Sequence, residues 1–147
     1  MKIQVISIVI LIFFTVSAPM AAQDISQHEW KNRLLLILAN ENSKSLYRKQ
    51  MDLLKENAEG LEERKMVIYT IMPDKYKKGL FSDSWKESAD LNDRFMEKNR
   101  DFEVILIGLD GGVKLRQTNV LSIEKLFSTI DAMPMRQREM RKNQKPD

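Results

Sequence analysis

Hydrophobic and polar positions along the chain fall into blocks with two different periods. Residues 34–39 (LLLILA) form an apolar run too short for a helix of its own, which predicts a strand covered on both faces. Residues 66–72 (MVIYTIM), rich in β-branched and aromatic side chains and followed by Pro73, predict a second buried strand. Residues 102–107 (FEVILI) and 113–116 (VKLR) predict two more. In the last of these Val113 and Leu115 alternate with Lys114 and Arg116, giving one packed and one wet face, as at a sheet edge.

Between these runs the spacing becomes helical. Asn42 or Ser43 can cap a helix in which Tyr47, Met51, Leu54 and Ala58 recur on one side, with Gly60 as its stop. After Pro73, the stretch with Lys75, Lys77, Lys78 and Gly79 reads as a polar connection. Ser84-Trp85-Lys86-Glu87 matches a capping box and predicts a second helix over 85–98, with Leu91 and Phe95 facing inward. Ser122 caps a last helix with the stripe Ile123, Leu126, Phe127, Ile130 and Met133, Glu124 near its positive end, and Pro134 interrupting it. The order strand, helix, strand, helix, strand, strand, helix implies a parallel crossover and an antiparallel closing hairpin. The predicted fold is therefore α/β: a thioredoxin-like mixed sheet with helices on both faces.

The chain of 147 residues, 31% charged and 43% hydrophobic, fits one compact domain with a single core. Its first residues depart from that picture: Lys2, an apolar run over 8–14, then Ser17, Ala18, Ala21 and Ala22 follow the layout of a secretory signal peptide. An uncleaved membrane anchor is the competing reading, against which Pro19 ends the apolar run and small residues follow where a signal peptidase needs them. The predicted organisation is a signal peptide over 1–22, a thioredoxin-like domain over 24–135 and a basic, mobile tail over 136–147. The protein is thus expected to be exported, periplasmic or secreted, with no membrane span after processing.

Net charge is +3, and +2 without Lys2. Residues 136–147 set Arg136, Arg138, Arg141, Lys142 and Lys145 against Glu139 and Asp147, so they carry +3 and the rest of the mature chain about −1. Any attraction to an acidic protein, a polyanionic glycan or anionic lipid is predicted there, chiefly through Arg136, Arg138, Arg141 and Lys142. Nucleic acid is a poorer fit, since export separates the two and no aromatic residue interleaves the basic ones. The sequence has no cysteine, which excludes disulfides, thiolate metal sites and thiol redox chemistry.

Four segments resemble the DUDES-type domain: Trp30-x-x-Arg33, Glu63-Arg64, Leu106-Ile107-Gly108-x-Asp110-Gly111-Gly112-x-Lys114, and IDAMPMRQREM from Ile130 to Met140. That family of unassigned function occurs in bacterial exported proteins and in animal extracellular sushi-repeat and equarin-like proteins. The resemblance implies a thioredoxin-like or peroxiredoxin-like fold without its redox site. Redox thioredoxins carry cysteines where the first strand meets the first helix, here residues 40–45 (NENSKS), and usually a proline before the third strand, where this chain has Arg100-Asp101. The animal relatives suggest extracellular binding, by analogy of fold.

No cofactor and no metal are predicted. His28 is the only histidine and reads as an exposed residue, and neither a zinc motif nor a catalytic triad can be assembled around it. Asp110, Gly111 and Gly112 read as a hairpin turn, because no further side-chain oxygens follow for calcium and no Walker spacing for phosphate. Asn40, Asn42 and Ser43 stand where a strand ends and a helix begins, a place that suits capping or an anionic ligand. Two functions remain open on this reading: a non-catalytic module that binds a protein or polyanion, and an enzyme or redox-associated protein using a non-cysteine site near Asn40 to Ser43.

Overall fold

The computed structural model describes residues 25–144. The predicted signal peptide lies outside them. Six strands form one sheet: β1 (Arg33–Ala39), β2 (Met66–Ile71), β3 (Lys75–Lys78), β4 (Trp85–Glu87), β5 (Phe102–Ile107) and β6 (Val113–Gln117), in the spatial order β4-β3-β2-β1-β5-β6. β1 is central, parallel to β2 and antiparallel to β5. A 3-10 turn (Glu41–Ser43) leads into α1 (Lys44–Glu56), followed by α2 (Ala58–Glu63), α3 (Asp90–Phe95), α4 (Ile123–Asp131) and α5 (Pro134–Asn143).

Every residue of β1 is buried, and its two-residue period splits the interior into two layers. Leu35, Ile37 and Ala39 meet Met51 and Leu54 of α1, Leu61 of α2 and Leu126 and Ile130 of α4. Leu34, Leu36 and Leu38 point the other way, toward Tyr69, Ile71, Tyr76, Ile105, Ile107 and Leu91 of α3. Helices therefore cover both faces of a mixed sheet, the predicted thioredoxin-like arrangement.

Several local expectations need correction. The polar stretch after Pro73 is strand β3, because Tyr76 turns inward and stacks on Tyr69 at 6.2 Å between ring centroids. The capping-box segment is strand β4, paired with β3 through Lys75–Glu87 and Lys77–Trp85, and the Lys75 and Lys77 ammonium groups lie 5.2 and 5.1 Å from the Trp85 ring centroid. Cross-strand pairing and cation–π attraction outweigh the local helix signal. The helix predicted over 85–98 shrinks to α3, which keeps Leu91 buried.

Gly60 does not stop a helix but lies within α2; a Cβ there would come within 2.7 Å of the Phe127 ring, so glycine permits a close helix–helix approach. Val113, expected to pack, is 53% exposed, since the register shifts between Leu106 and Ile107 and Leu115 carries the inner face of β6. His28 is buried, not exposed, with one ring nitrogen 3.0 Å from the Tyr69 hydroxyl and the other 3.1 Å from Asn32 Oδ1. The predicted tail over 136–147 is corrected over its described part: Pro134, pre-set for a first helical turn, opens α5, and Arg136 anchors it in the protein.

Candidate functional site

Asn40, Asn42 and Ser43 cluster where β1 ends, as their sequence position implies. Asn40 caps the 3-10 turn, its side chain accepting from the Asn42 amide at 2.9 Å, and Ser43 Oγ accepts from the Asn40 amide at 3.0 Å. The same side chains reach the residue before β5: Asn40 Nδ2 donates to Asp101 Oδ1 at 2.6 Å and Ser43 Oγ donates to the Asp101 carbonyl at 2.6 Å. Ser43 is 2% exposed, so its hydroxyl is spent inside the protein. Glu41 beside it pairs with Lys44, whose hydrogen bond and charge hold the carboxyl below the ordinary carboxylate range.

Asp110, Gly111 and Gly112 turn the hairpin. Asp110 accepts from the Gly112 amide at 3.0 Å and from Lys114 Nζ at 2.7 Å, and Gly111 takes a φ of 76°. The Lys114 hydrogen bond, then the Gly112 amide, hold Asp110 below its ordinary pKa. Both carboxylate oxygens are thereby engaged within the turn.

The four predicted basic positions separate. Arg138, Arg141 and Lys142 are exposed, and no carboxylate among the described residues pairs with them. Their spacing of three and four residues puts them on one side of α5. Arg136 is 2% exposed and faces inward, bonding the Glu63 side chain, the Glu63 carbonyl at 3.1 Å and Asp131 at 3.2 Å.

Around Arg136 lies an ion network that composition alone does not reveal. Arg64 donates two parallel bonds to Asp131, at 3.0 and 2.6 Å. Arg33, 1% exposed at the start of β1, donates from Nη1 to the Arg64 carbonyl at 3.0 Å and to Glu139 at 3.2 Å. Burial pushes Asp131 up, but the hydrogen bonds from Arg64 and Arg136 outweigh it and leave the carboxyl below its ordinary pKa. Burial would lower Arg136, yet Glu63 and Asp131 raise it, so it stays charged. Arg64 also stacks its guanidinium 4.0 Å from the Phe127 ring centroid.

These residues come from three of the four segments that carry the family resemblance, and the fourth, the hairpin, adjoins them across a cavity of about 520 Å³. Arg33, Asp110 and Lys114 line that cavity together with Leu109, Met133 and Met135. Arg33, Glu63, Arg64, Asp131 and Glu139 are not among the site residues expected from the sequence. The available signal was an arginine opening an otherwise apolar strand, in the same segments as the family pattern. Among the described residues, no group of three His, Asp or Glu is placed to hold a metal, and no helix is long and apolar enough to cross a membrane.

The sheet order and two-faced helical cover define a thioredoxin-like fold. In the reduced 2-Cys peroxiredoxin of Plasmodium vivax, a similar solved structure, 83% of the chain superposes on 78% of this one, with a TM-score of 0.51 and 14% identity, a likeness of fold alone. The chain belongs to the family described as a domain of unknown function, DUF4174, whose profile matches residues 24–139, in keeping with the DUDES-type resemblance. No curated protein matches it.

Proposed function

We propose that the protein is an exported, non-redox binding module that holds an acidic partner, a protein surface or a polyanionic glycan, on the outer side of α5. The observation that carries this reading is the division of labour within one helix. Arg136 and Glu139 fasten α5 to Arg33, Glu63 and Asp131, while Arg138, Arg141 and Lys142 stand outside, exposed and unmatched by carboxylates among the described residues. A rigid helix presenting three cations loses little conformational freedom on binding, which favours affinity.

Export is supported by the leader pattern of residues 1–22, which favours a working protein in the periplasm or outside the cell. The absence of cysteine removes thiol exchange and thiol peroxidase activity from a fold that supports both elsewhere. An enzyme centred on Asn40 to Ser43 has less in its favour, because the Ser43 hydroxyl and the Asn40 amide group are committed to Asp101.

The test is binding of the mature chain to an immobilised sulfated glycan and to acidic envelope proteins, at low and at high salt. Saturable binding is expected, weakening with salt by roughly two to three decades per decade of ionic strength if three cations are engaged. The triple variant Arg138→Gln, Arg141→Gln, Lys142→Gln is expected to lose it with an unchanged melting temperature. Equal binding by the variant, or none by the wild type, refutes the proposal.

A further inference from the structure

Lys77 places an ammonium group nearly inside the protein with no anion in contact. It is 9% exposed on the side of β3 that faces α1. The one carboxylate within reach among the described residues, Asp83, is itself fully exposed and stands 4.0 Å away, too far for a hydrogen bond. Three donors on a largely desolvated cation, offset by the Trp85 ring and one distant carboxylate, leave a need for an acceptor. The group is not sealed off from solvent. Lys77 lines a cleft of about 230 Å³ between β3 and one side of α1, whose other walls are Lys44, Tyr47, Arg48, Met51, Asp52 and Lys55.

The rest of the lining defines what would fit. Lys44, Arg48 and Lys55 recur on one side of α1, and Tyr47 and Met51, packed against the core, form an apolar floor between them. Lys44 is matched by Glu41, whereas Arg48 and Lys55 have no carboxylate partner among the described residues. Asp52 is the single acidic residue of the lining, so four cations face one carboxylate. With Lys75, Glu41, Asp83 and Glu87 added around the rim, the neighbourhood stays positive. We infer that this cleft binds a phosphate dianion, free or as the monoester of a small molecule, with Lys77 at its base and Arg48 and Lys55 at its mouth. Ammonium groups act as point charges without the planar fork that selects a carboxylate, which suits a tetrahedral oxyanion, and the surplus of cations favours two negative charges over one. The cleft uses no residue of α5, and neither proposal depends on the other.

Titration of the mature chain with inorganic phosphate, glucose 6-phosphate, glucose 6-sulfate and glucose, at mildly alkaline pH and followed by calorimetry and amide chemical shifts, tests the inference. Both phosphates are expected to bind saturably, with shifts over residues 44–55 and 75–77. The sulfate ester, which carries one charge where the phosphate ester carries nearly two, is expected to bind about tenfold more weakly, and glucose not at all. Tighter binding of glucose 6-phosphate than of inorganic phosphate identifies an ester as the ligand, and the reverse order identifies the free anion. Lys77→Met keeps the stem and removes the charge; it is expected to weaken both phosphates about tenfold or more, with a melting temperature unchanged or raised as an unsatisfied cation is lost. Since Lys77 also packs on Trp85, the exposed change Arg48→Gln provides a second variant, expected to weaken binding about threefold with an unchanged melt, while Asp52→Asn should tighten it. No saturable binding of either phosphate, equal binding of the sulfate ester, full affinity in both Lys77→Met and Arg48→Gln, or shifts confined to residues 138–142 overturns the assignment.

Discussion

Replacing Arg136 by methionine removes a guanidinium that is 2% exposed while keeping most of the apolar stem. Its partners suffer unequally. Asp131 keeps both bonds from Arg64, and the Glu63 carboxylate, 62% exposed, returns to water. The Glu63 carbonyl loses its donor at 3.1 Å, and Glu139 loses a cation 3.7 Å away. A hydrogen bond to a charged group is worth about 1.5–3 kcal/mol, a solvent-exposed ion pair under about 1 kcal/mol, and methionine packing offsets part of the loss. The net expectation is a destabilisation of roughly 2–4 kcal/mol, or a melting temperature lower by roughly 6–16 °C. Urea unfolding followed by circular dichroism measures it, with the slope unchanged. Arg138→Met, an exposed change on the same helix, is the control and should stay within about 0.5 kcal/mol. If the two variants are equally mild, α5 is not held by Arg136 and the reasoning fails.

Other predictions follow the same geometry. Although burial pushes Asp131 up, Arg64 and Arg136 depress its pKa in the folded protein, so its stabilisation is complete above the unfolded value of about 3.9 and is lost as pH falls through the lower folded value. Asp131→Asn should therefore cost about 1–3 kcal/mol near neutral pH, with the gap to wild type closing below about pH 4; a gap independent of pH contradicts this. Gly60→Ala, normally favourable in a helix, should destabilise by about 1–3 kcal/mol because the new Cβ meets Phe127, and a raised melting temperature would count against it. Gly111→Val should cost about 1–3 kcal/mol through its positive φ, whereas Gly112→Val, outside the left-handed region, should be milder; thermal melts compare the two.

Where burial alone dictated the pattern, the sequence was readable. β1, β2 and β5 are apolar runs of strand length, and α4 carries its stripe where the spacing puts it, with Leu126 and Ile130 fully buried. What escaped depended on partners far along the chain. Lys75-Tyr76-Lys77-Lys78 looks like loop until Tyr76 is seen against Tyr69, and the Ser84–Glu87 box looks like a helix start until Trp85 pairs with Lys77. His28 looks exposed until Tyr69 offers its hydroxyl.

The site shows the same division. Capping by Asn40 and Ser43 is local and legible, while their attachment to Asp101 is not. Arg136 and Arg138 are two residues apart and alike in composition. Only the arrival of Glu63 and Asp131 from other segments makes one a buried anchor and leaves the other in solvent.

On the proposed function, this thioredoxin-like scaffold works by binding at α5 and not by chemistry at the end of β1. Mapping amide chemical shifts of the mature chain during titration with a sulfated oligosaccharide tests it directly. Binding at α5 predicts salt-sensitive shifts concentrated over residues 138–142, with 40–43 and Asp101 unmoved; shifts centred on 40–43 and Asp101 would contradict it.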